Sequence, residues 1–188
     1  MVRWAADGRG RLEQAAVALY AERGFEATTV AEIARRAGLT ERTFFRHFAD
    51  KREVLFSGST ALQELMARAV ADAPATLGPI DAAAQGVQAA ATLLEERRSF
   101  ARQRQRIIAA NAELRERELI KMASLSAALA ATLRERDVPD PAASLAAEAA
   151  VAVFKVAFER WIDDAADRDL PTLARESLQE LKTVTSGA

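Results

Sequence analysis

Leu12, Ala15, Ala16 and Leu19 recur at spacings of 3, 4 and 7 positions, the apolar stripe of one helix face. Gly24 follows, where glycine commonly stands just past a helix C-terminus. Thr29 and Glu32, in T-V-A-E, form a capping box, and Ile33, Ala34 and Ala37 supply the inner face of a short second helix. Gly38 makes a tight turn, Leu39 can tuck into a core, and the Thr40 side chain can cap a third helix. Asp50 and Glu53 repeat the capping-box spacing ahead of a fourth. Further on, Pro74, Pro79, Pro139, Pro141 and Pro171 stand where helices stop or start. No alternating apolar and polar run of useful length points to a strand. The pattern predicts nine helices, over 9–23, 30–37, 41–47, 51–72, 80–95, 97–110, 113–136, 141–166 and 171–184.

Composition agrees with an all-α fold. Half of the 188 residues are hydrophobic, alanine dominates them, and there are only 8 glycines and 5 prolines. The length suits one large domain or a small domain docked on a larger one, and the patterning divides the chain into 1–56 and 57–188. No cysteine is present, which excludes disulfides and thiolate metal sites and fits a reducing cytoplasm. No apolar run reaches the ~18 residues of a membrane-spanning helix, and no apolar signal segment opens the chain. The expectation is therefore a cytoplasmic protein without a membrane partner, cofactor or metal. Formal net charge is −1, spread as +2 over 1–56 and −3 over 57–188. So weak a basic balance does not by itself point to nucleic acid, and a DNA reading must come from local pattern.

That pattern lies in the first 56 residues. A short helix, a glycine turn and a second short helix make a helix-turn-helix, in which the first braces the second and the second offers its N-terminal residues to the major groove. Arg42, Thr43 and Arg46 then fall on the reading helix. Arginine can pair bidentately with guanine, and threonine can meet a base edge or methyl. Arg46 can equally reach phosphate, and an ordinary solvated helix face explains the same residues without DNA. Lys51 opens the next helix, where an ammonium and free backbone N–H groups suit a phosphate. Thr29 and Thr40 can add backbone contacts.

The stretch Leu12–Leu55, L-E-Q-A-A-V-A-L-Y-A-E-R-G-F-E-A-T-T-V-A-E-I-A-R-R-A-G-L-T-E-R-T-F-F-R-H-F-A-D-K-R-E-V-L, resembles the DNA-binding domain of the TetR family of bacterial regulators, without a gap over about 44 residues. It includes Gly24-Phe25, Thr28-Thr29, Ile33-Ala34, Ala37-Gly38, Phe48 and Lys51. The resemblance implies a transcriptional regulator, expected to be a homodimeric repressor that leaves a near-palindromic operator when a small-molecule effector binds. It also implies a phosphate contact for His47, the sole histidine; the residue alone fits equally a packed histidine at a helix end. One departure is Phe45, where the family usually has a tyrosine whose hydroxyl reaches phosphate. Phe45 cannot donate that bond, but it can touch a thymine methyl or a sugar. The C-terminal part resembles, more weakly, TetR effector domains described as binding acyl-CoA-like ligands. That likeness rests on A-E-L-R-E-R-E-L-I-K-M-A-S-L-S-A-A-L-A at 112–130 and F-E-R-W at 158–161, with Ala112 near where a proline is usual.

R-R-S-F-A-R-Q-R-Q-R at 97–106 puts Arg98, Arg102 and Arg106 on one face by i,i+4 spacing. They can neutralise an effector's phosphate or carboxylate, or form a solvated face paired with Glu95 and Glu96. Asn111 is a polar anchor for a ligand or a turn residue. The eighth predicted helix is apolar nearly all round, as in a helix buried on two sides. Val151, Phe154, Phe158 and Trp161 mark one face, and these aromatics can line a pocket or simply fill the core. Leu145, Ala149, Ala152, Val153 and Val156 mark another, which with Leu178 and Leu181 of the ninth helix can form a four-helix interface between subunits. A large monomeric core is the alternative. No phosphate-cradling glycine loop, metal-ligand cluster or catalytic triad is evident, so an enzyme is not expected. A helical binding module whose DNA domain has lost its role remains the competing class.

Overall fold

A computed structural model of the chain describes residues 8–164 and 166–186. Among the described residues the regular structure is helical, without a strand. The helices are α1 (Gly8–Arg23), α2 (Val30–Arg36), α3 (Glu41–His47), α4 (Ser59–Ala71), α5 (Pro79–Glu95), α6 (Arg98–Ala110), α7 (Ala112–Glu135), α8 (Ala142–Asp163) and α9 (Leu170–Ser186). The all-α expectation holds.

The early boundaries arise from local chemistry. Gly24 ends α1 with φ of 87°, its amide bonded to the Tyr20 carbonyl at 2.9 Å. At α2 the Thr29 hydroxyl accepts the Glu32 amide at 3.2 Å, and the Glu32 carboxylate accepts the Thr29 amide at 2.9 Å. Gly38, with φ of 65°, turns the chain towards α3. Its amide reaches the Arg35 carbonyl and the Leu39 amide reaches that of Ala34, at 3.1 and 2.8 Å, satisfying carbonyls that the end of α2 leaves open.

The predicted helix over 51–72 is broken in two. Asp50 accepts the amides of Arg52 and Glu53 at 2.8 and 3.1 Å, capping only a single 3-10 turn, Glu53–Phe56. Val54, Leu55 and Phe56 of that turn are buried, Ser57 donates its hydroxyl to the buried Glu13 carboxylate, and α4 begins afresh at Ser59. The predicted 141–166 helix also runs long, because α8 stops at Asp163 and the Asp164 side chain organises the residues that follow.

Two compact units emerge from the packing. The first holds the described residues up to Gly58 together with Gln103–Glu118. Its core is Leu12, Ala16, Leu19, Phe25, Ile33, Phe44, Phe48 and the 3-10 turn. The patterning that divides the chain at 56 did not foresee that 103–118 joins these elements. Arg104 shows why it does: its Nε donates to the Leu55 carbonyl at 2.6 Å, its guanidinium lies 5.0 Å from the Phe56 ring, and it pairs with Glu118 at 3.2 Å.

The second unit holds Ser59–Arg102 and the described residues from Leu119 onward, so α6 and α7 each contribute to both units. Here α5 packs on α4, α8 and α9. Its buried face is Ala82, Ala83, Ala84, Gly86, Val87, Ala90 and Ala91, and such small side chains let helices approach closely. A β-carbon on Gly86 would stand 2.9 Å from the Met66 carbonyl oxygen, closer than packing allows. Met66, Val70, Leu125, Leu129, Leu133, Phe154, Trp161, Leu170 and Leu173 complete the core.

Candidate nucleic-acid interface

The local geometry of α3 decides which side chains face outward. Thr40 Oγ1 accepts the Thr43 amide at 3.2 Å and stands 3.0 Å from the Thr43 hydroxyl, fixing the first turn. Phe44 is wholly buried, with ring centroids of Phe45 and Phe48 each 5.4 Å away. With Phe44 inward, the helical period turns Arg42, Phe45 and Arg46 outward, all three exposed, with Thr43 half-buried among them. These four line a shallow open depression.

α2 braces α3 and is itself tied to α1. Arg36 makes two bonds to the Glu22 carboxylate at 2.5 and 2.6 Å, and Arg23 reaches Glu32 at 2.9 Å. The Arg36 guanidinium holds the Glu22 carboxyl below the usual carboxylate range. Thr29 is exposed but its hydroxyl is engaged in the capping box. His47 is half-buried. Its Nε2 is buried without a hydrogen-bond partner, and a β-carbon built on Gly8 would lie 3.6 Å from it. That is the packed position at a helix end, with Nε2 turned from solvent.

Lys51 is placed differently from an outward phosphate ligand. Its ammonium donates to the carbonyls of Phe25, Thr28 and Glu26 at 2.9, 3.1 and 3.3 Å, and lies 4.4 Å from the Phe25 ring centre. The Tyr20 hydroxyl donates to the Lys51 carbonyl at 2.7 Å, and burial pushes that phenol well up from its ordinary value. Lys51 therefore fastens the α1–α2 connection.

Of the arginines at 97–106, Arg98 donates to the carbonyls of Trp161 and Asp164 at 2.6 and 3.0 Å and pairs with Asp167. Arg102 donates to the Ile162 carbonyl at 2.5 Å. Both satisfy the last carbonyls of α8, as basic side chains do at a helix C-terminus. Arg106 is exposed. Asn111 sits in the α6–α7 junction, its Nδ2 donating to the Ile107 carbonyl at 2.7 Å, which is a turn role. Phe154, Phe158 and Trp161 form a row with centroids 6.0 and 5.7 Å apart, Trp161 wholly buried and Phe154 nearly so.

On α8, Leu145, Ala152 and Val156 are exposed and Ala149 is half-buried, a stripe at helical spacing. Val153 departs from that face: it is 4% exposed and belongs to the core. Leu178 and Leu181 are half-buried against the same core.

Sequence reasoning missed the charged groups that hold Gln103–Glu118 to the N-terminal elements. Arg104 with the Leu55 carbonyl and the Phe56 ring, Arg52 with Glu113, and Arg117 with Glu53 do this work. Only the alternation of arginine and glutamate around 113–118 hinted at it, and that pattern does not name distant partners. No helix among the described residues is long and apolar enough to cross a membrane, and none of their His, Asp and Glu side chains cluster as a metal site would require.

Comparison with known proteins bears on this arrangement. A model of the family described as bacterial regulatory proteins, TetR family, matches residues 13–57, and one of the MftR C-terminal domain matches 77–186. The HTH-type transcriptional regulator TcmR of Streptomyces glaucescens is 39% identical over 74 residues, 39% of this chain and 33% of its own. The HTH-type transcriptional repressor KstR2 of Mycobacterium tuberculosis is 47% identical over 47 residues, 25% of this chain and 24% of its own. The matched stretch thus spans a third or less of either relative. Among solved structures, the transcriptional regulator FadR of Bacillus subtilis in complex with stearoyl-CoA superposes with a TM-score of 0.63, at 20% identity, covering 90% of this chain and 95% of that one. The SmeT–triclosan complex gives 0.66 at 21% identity, covering 92% and 88%. At such identities the likeness is one of fold.

Proposed function

The chain belongs to the TetR family of bacterial regulatory proteins, and from that premise we propose that it is a homodimeric repressor, released from a near-palindromic operator by a small-molecule effector. It is a DNA-binding transcriptional regulator and not an enzyme. The observation that carries the DNA-reading part of this proposal is the joint exposure of Arg42, Phe45 and Arg46 beside Thr43 on a helix anchored by Phe44 and capped by Thr40. Arg42 and Thr43 read base edges, Arg46 reaches a base or phosphate, and the Thr29 and Thr40 ends of α2 and α3 approach the backbone. His47 and Lys51 support this surface from behind, by packing under Gly8 and by fastening the α1–α2 connection.

Two reading helices must meet half-sites ~34–36 Å apart, which a two-fold dimer provides. The stripe of exposed Leu145, Ala152 and Val156 with half-buried Ala149, continued by α9, is the surface we assign to that dimer. For the effector we favour an acyl-CoA-like molecule. The likeness at 112–130 supports this, as does the shared fold with a regulator bound to stearoyl-CoA. We assign its acyl chain to the neighbourhood of Phe158, the half-buried member of the row it forms with the core residues Phe154 and Trp161. Release requires only that the effector bind the two states with different affinity. The protein would act in the cytoplasm, where its operator lies.

The deciding experiment is fluorescence anisotropy on labelled duplexes selected by the protein from a random library, with scrambled duplexes as control, across a salt series. Binding tighter by ~10³-fold or more on the selected duplex, released by a long-chain acyl-CoA, is the expected result. Equal binding to both duplexes would overturn the reading of α3, and selective binding that no acyl-CoA relieves would remove the effector assignment alone.

A further inference from the structure

We propose that Phe45 is a thymine reader, its ring covering the C5-methyl group of one thymine in each operator half-site. The proposal rests on α3 being the DNA-contacting helix and adds which base its apolar centre selects. Among the described residues Phe45 is the only exposed aromatic, at 55% exposure, and it lies in the depression it shares with Arg42, Thr43 and Arg46. Exposing a phenyl ring to water is unfavourable, and packing inside the protein does not explain it, because the inward position is already taken by Phe44. The ring carries no polar atom, so it cannot bond a phosphate. It is also braced: Phe44 meets it edge-on, with planes at 82° and centroids 5.4 Å apart. A ring held this way loses little freedom on binding.

In the major groove the base edges present donors, acceptors and a single kind of apolar group, the thymine methyl. A phenyl ring that shares its depression with two arginines therefore has one complementary base. Thymine buries its methyl against the ring, whereas the cytosine or adenine amino group would lose water there without gaining a partner. The arginines on either side hold the register through phosphates or guanines. Phe45 thus sets preference at a position where hydrogen bonds cannot.

The test replaces thymines of the selected duplex one at a time by deoxyuridine, which keeps base pairing and removes only the methyl. One position per half-site should weaken binding about fourfold, and both together about fifteenfold, as expected for burial of one methyl each. Phe45→Ala should bind the thymine and uracil duplexes alike while still preferring them to a scrambled duplex. Arg42→Ala should keep the thymine–uracil difference. A wild-type protein that selects its operator but is indifferent to every uracil overturns the proposal and leaves the DNA-reading helix intact; this arm needs no variant. A difference that persists in Phe45→Ala also overturns it, by assigning the methyl to another side chain. No preference for the selected over the scrambled duplex removes both this proposal and the function on which it rests.

Discussion

The Lys51 ammonium stands 2.9 Å from the Phe25 carbonyl oxygen, with the Thr28 and Glu26 carbonyls at 3.1 and 3.3 Å. An ammonium has three N–H donors, and each has an acceptor here. A lysine at the start of a helix reads from sequence as a phosphate ligand; this one is committed to the backbone ahead of α2. Lys51→Ala should therefore destabilise the DNA-binding domain by about 1.5–3 kcal/mol, the range for hydrogen bonds to charged groups, read as a shifted urea midpoint. Operator affinity should fall with it, but the slope of log K against log salt should not change, because no phosphate loses its cation. A slope lower by about 1 with an unchanged urea midpoint would show that the ammonium swings out to DNA.

Arg104 makes a comparable internal commitment. It joins the Leu55 carbonyl, the Glu118 carboxylate and the Phe56 ring, and burial pulls its guanidinium below the ordinary arginine value, against the pull of Glu118. Arg104→Met keeps the stem and removes the charge and donors. It should cost about 1–3 kcal/mol and loosen 103–118, seen as faster amide exchange there. Arg106→Ala, two positions on and exposed, should stay within about 0.5 kcal/mol of the parent. Equal effects of the two substitutions would mean that Arg104 does not anchor the segment.

What could be read from the sequence was what neighbouring residues decide. Thr29 with Glu32, Gly38 with Arg35, and Thr40 with Thr43 each act on a partner within five positions, and the α2–α3 hairpin follows from them. The break at Ser57 and Gly58 was hidden because apolar spacing runs on through Leu55, Leu62 and Met66, while the cause of the break involves Glu13, 44 positions away. Arg98 and Arg102 looked like a ligand-facing pair because their i,i+4 spacing is visible. The α8 carbonyls they satisfy, 60 and more positions on, are not. Val153 shows the same limit on a finer scale: an all-apolar helix does not say which side of a shared edge turns inward.

Asp164 gives a pH dependence with a definite sign. Its carboxylate accepts from the Arg168 guanidinium at 2.9 Å and from the amides of Arg168 and Ala166 at 3.0 and 3.2 Å. The Arg168 side-chain bond foremost, then these amides, lower its pKa from 3.8 to about 2. A depressed folded-state pKa means stability that is present above the unfolded value and lost as pH falls through the folded one. Asp164→Asn should lower the melting temperature at pH 6, and the gap from the parent should close as pH falls from about 4 to about 2. A gap of constant size across that window would show that the charge contributes nothing and only the shape of the side chain matters.

The exposed stripe on α8 yields the sharpest test of assembly, because Val153 and Val156 lie three positions apart and differ in environment. Val156 is 49% exposed and Val153 only 4%. A two-fold interface uses the same patch on both subunits, so one substitution acts twice. Val156→Glu should leave the monomer folded, with unchanged helical circular dichroism, while sedimentation shifts from dimer to monomer and operator binding loses its cooperativity. Val153→Ala should instead lower the melting temperature of the subunit, by the cost of a cavity in a packed core, and leave its state of association alone. If Val156→Glu sediments as the parent does, the stripe is not the dimer surface, and the two reading helices must be paired through another face.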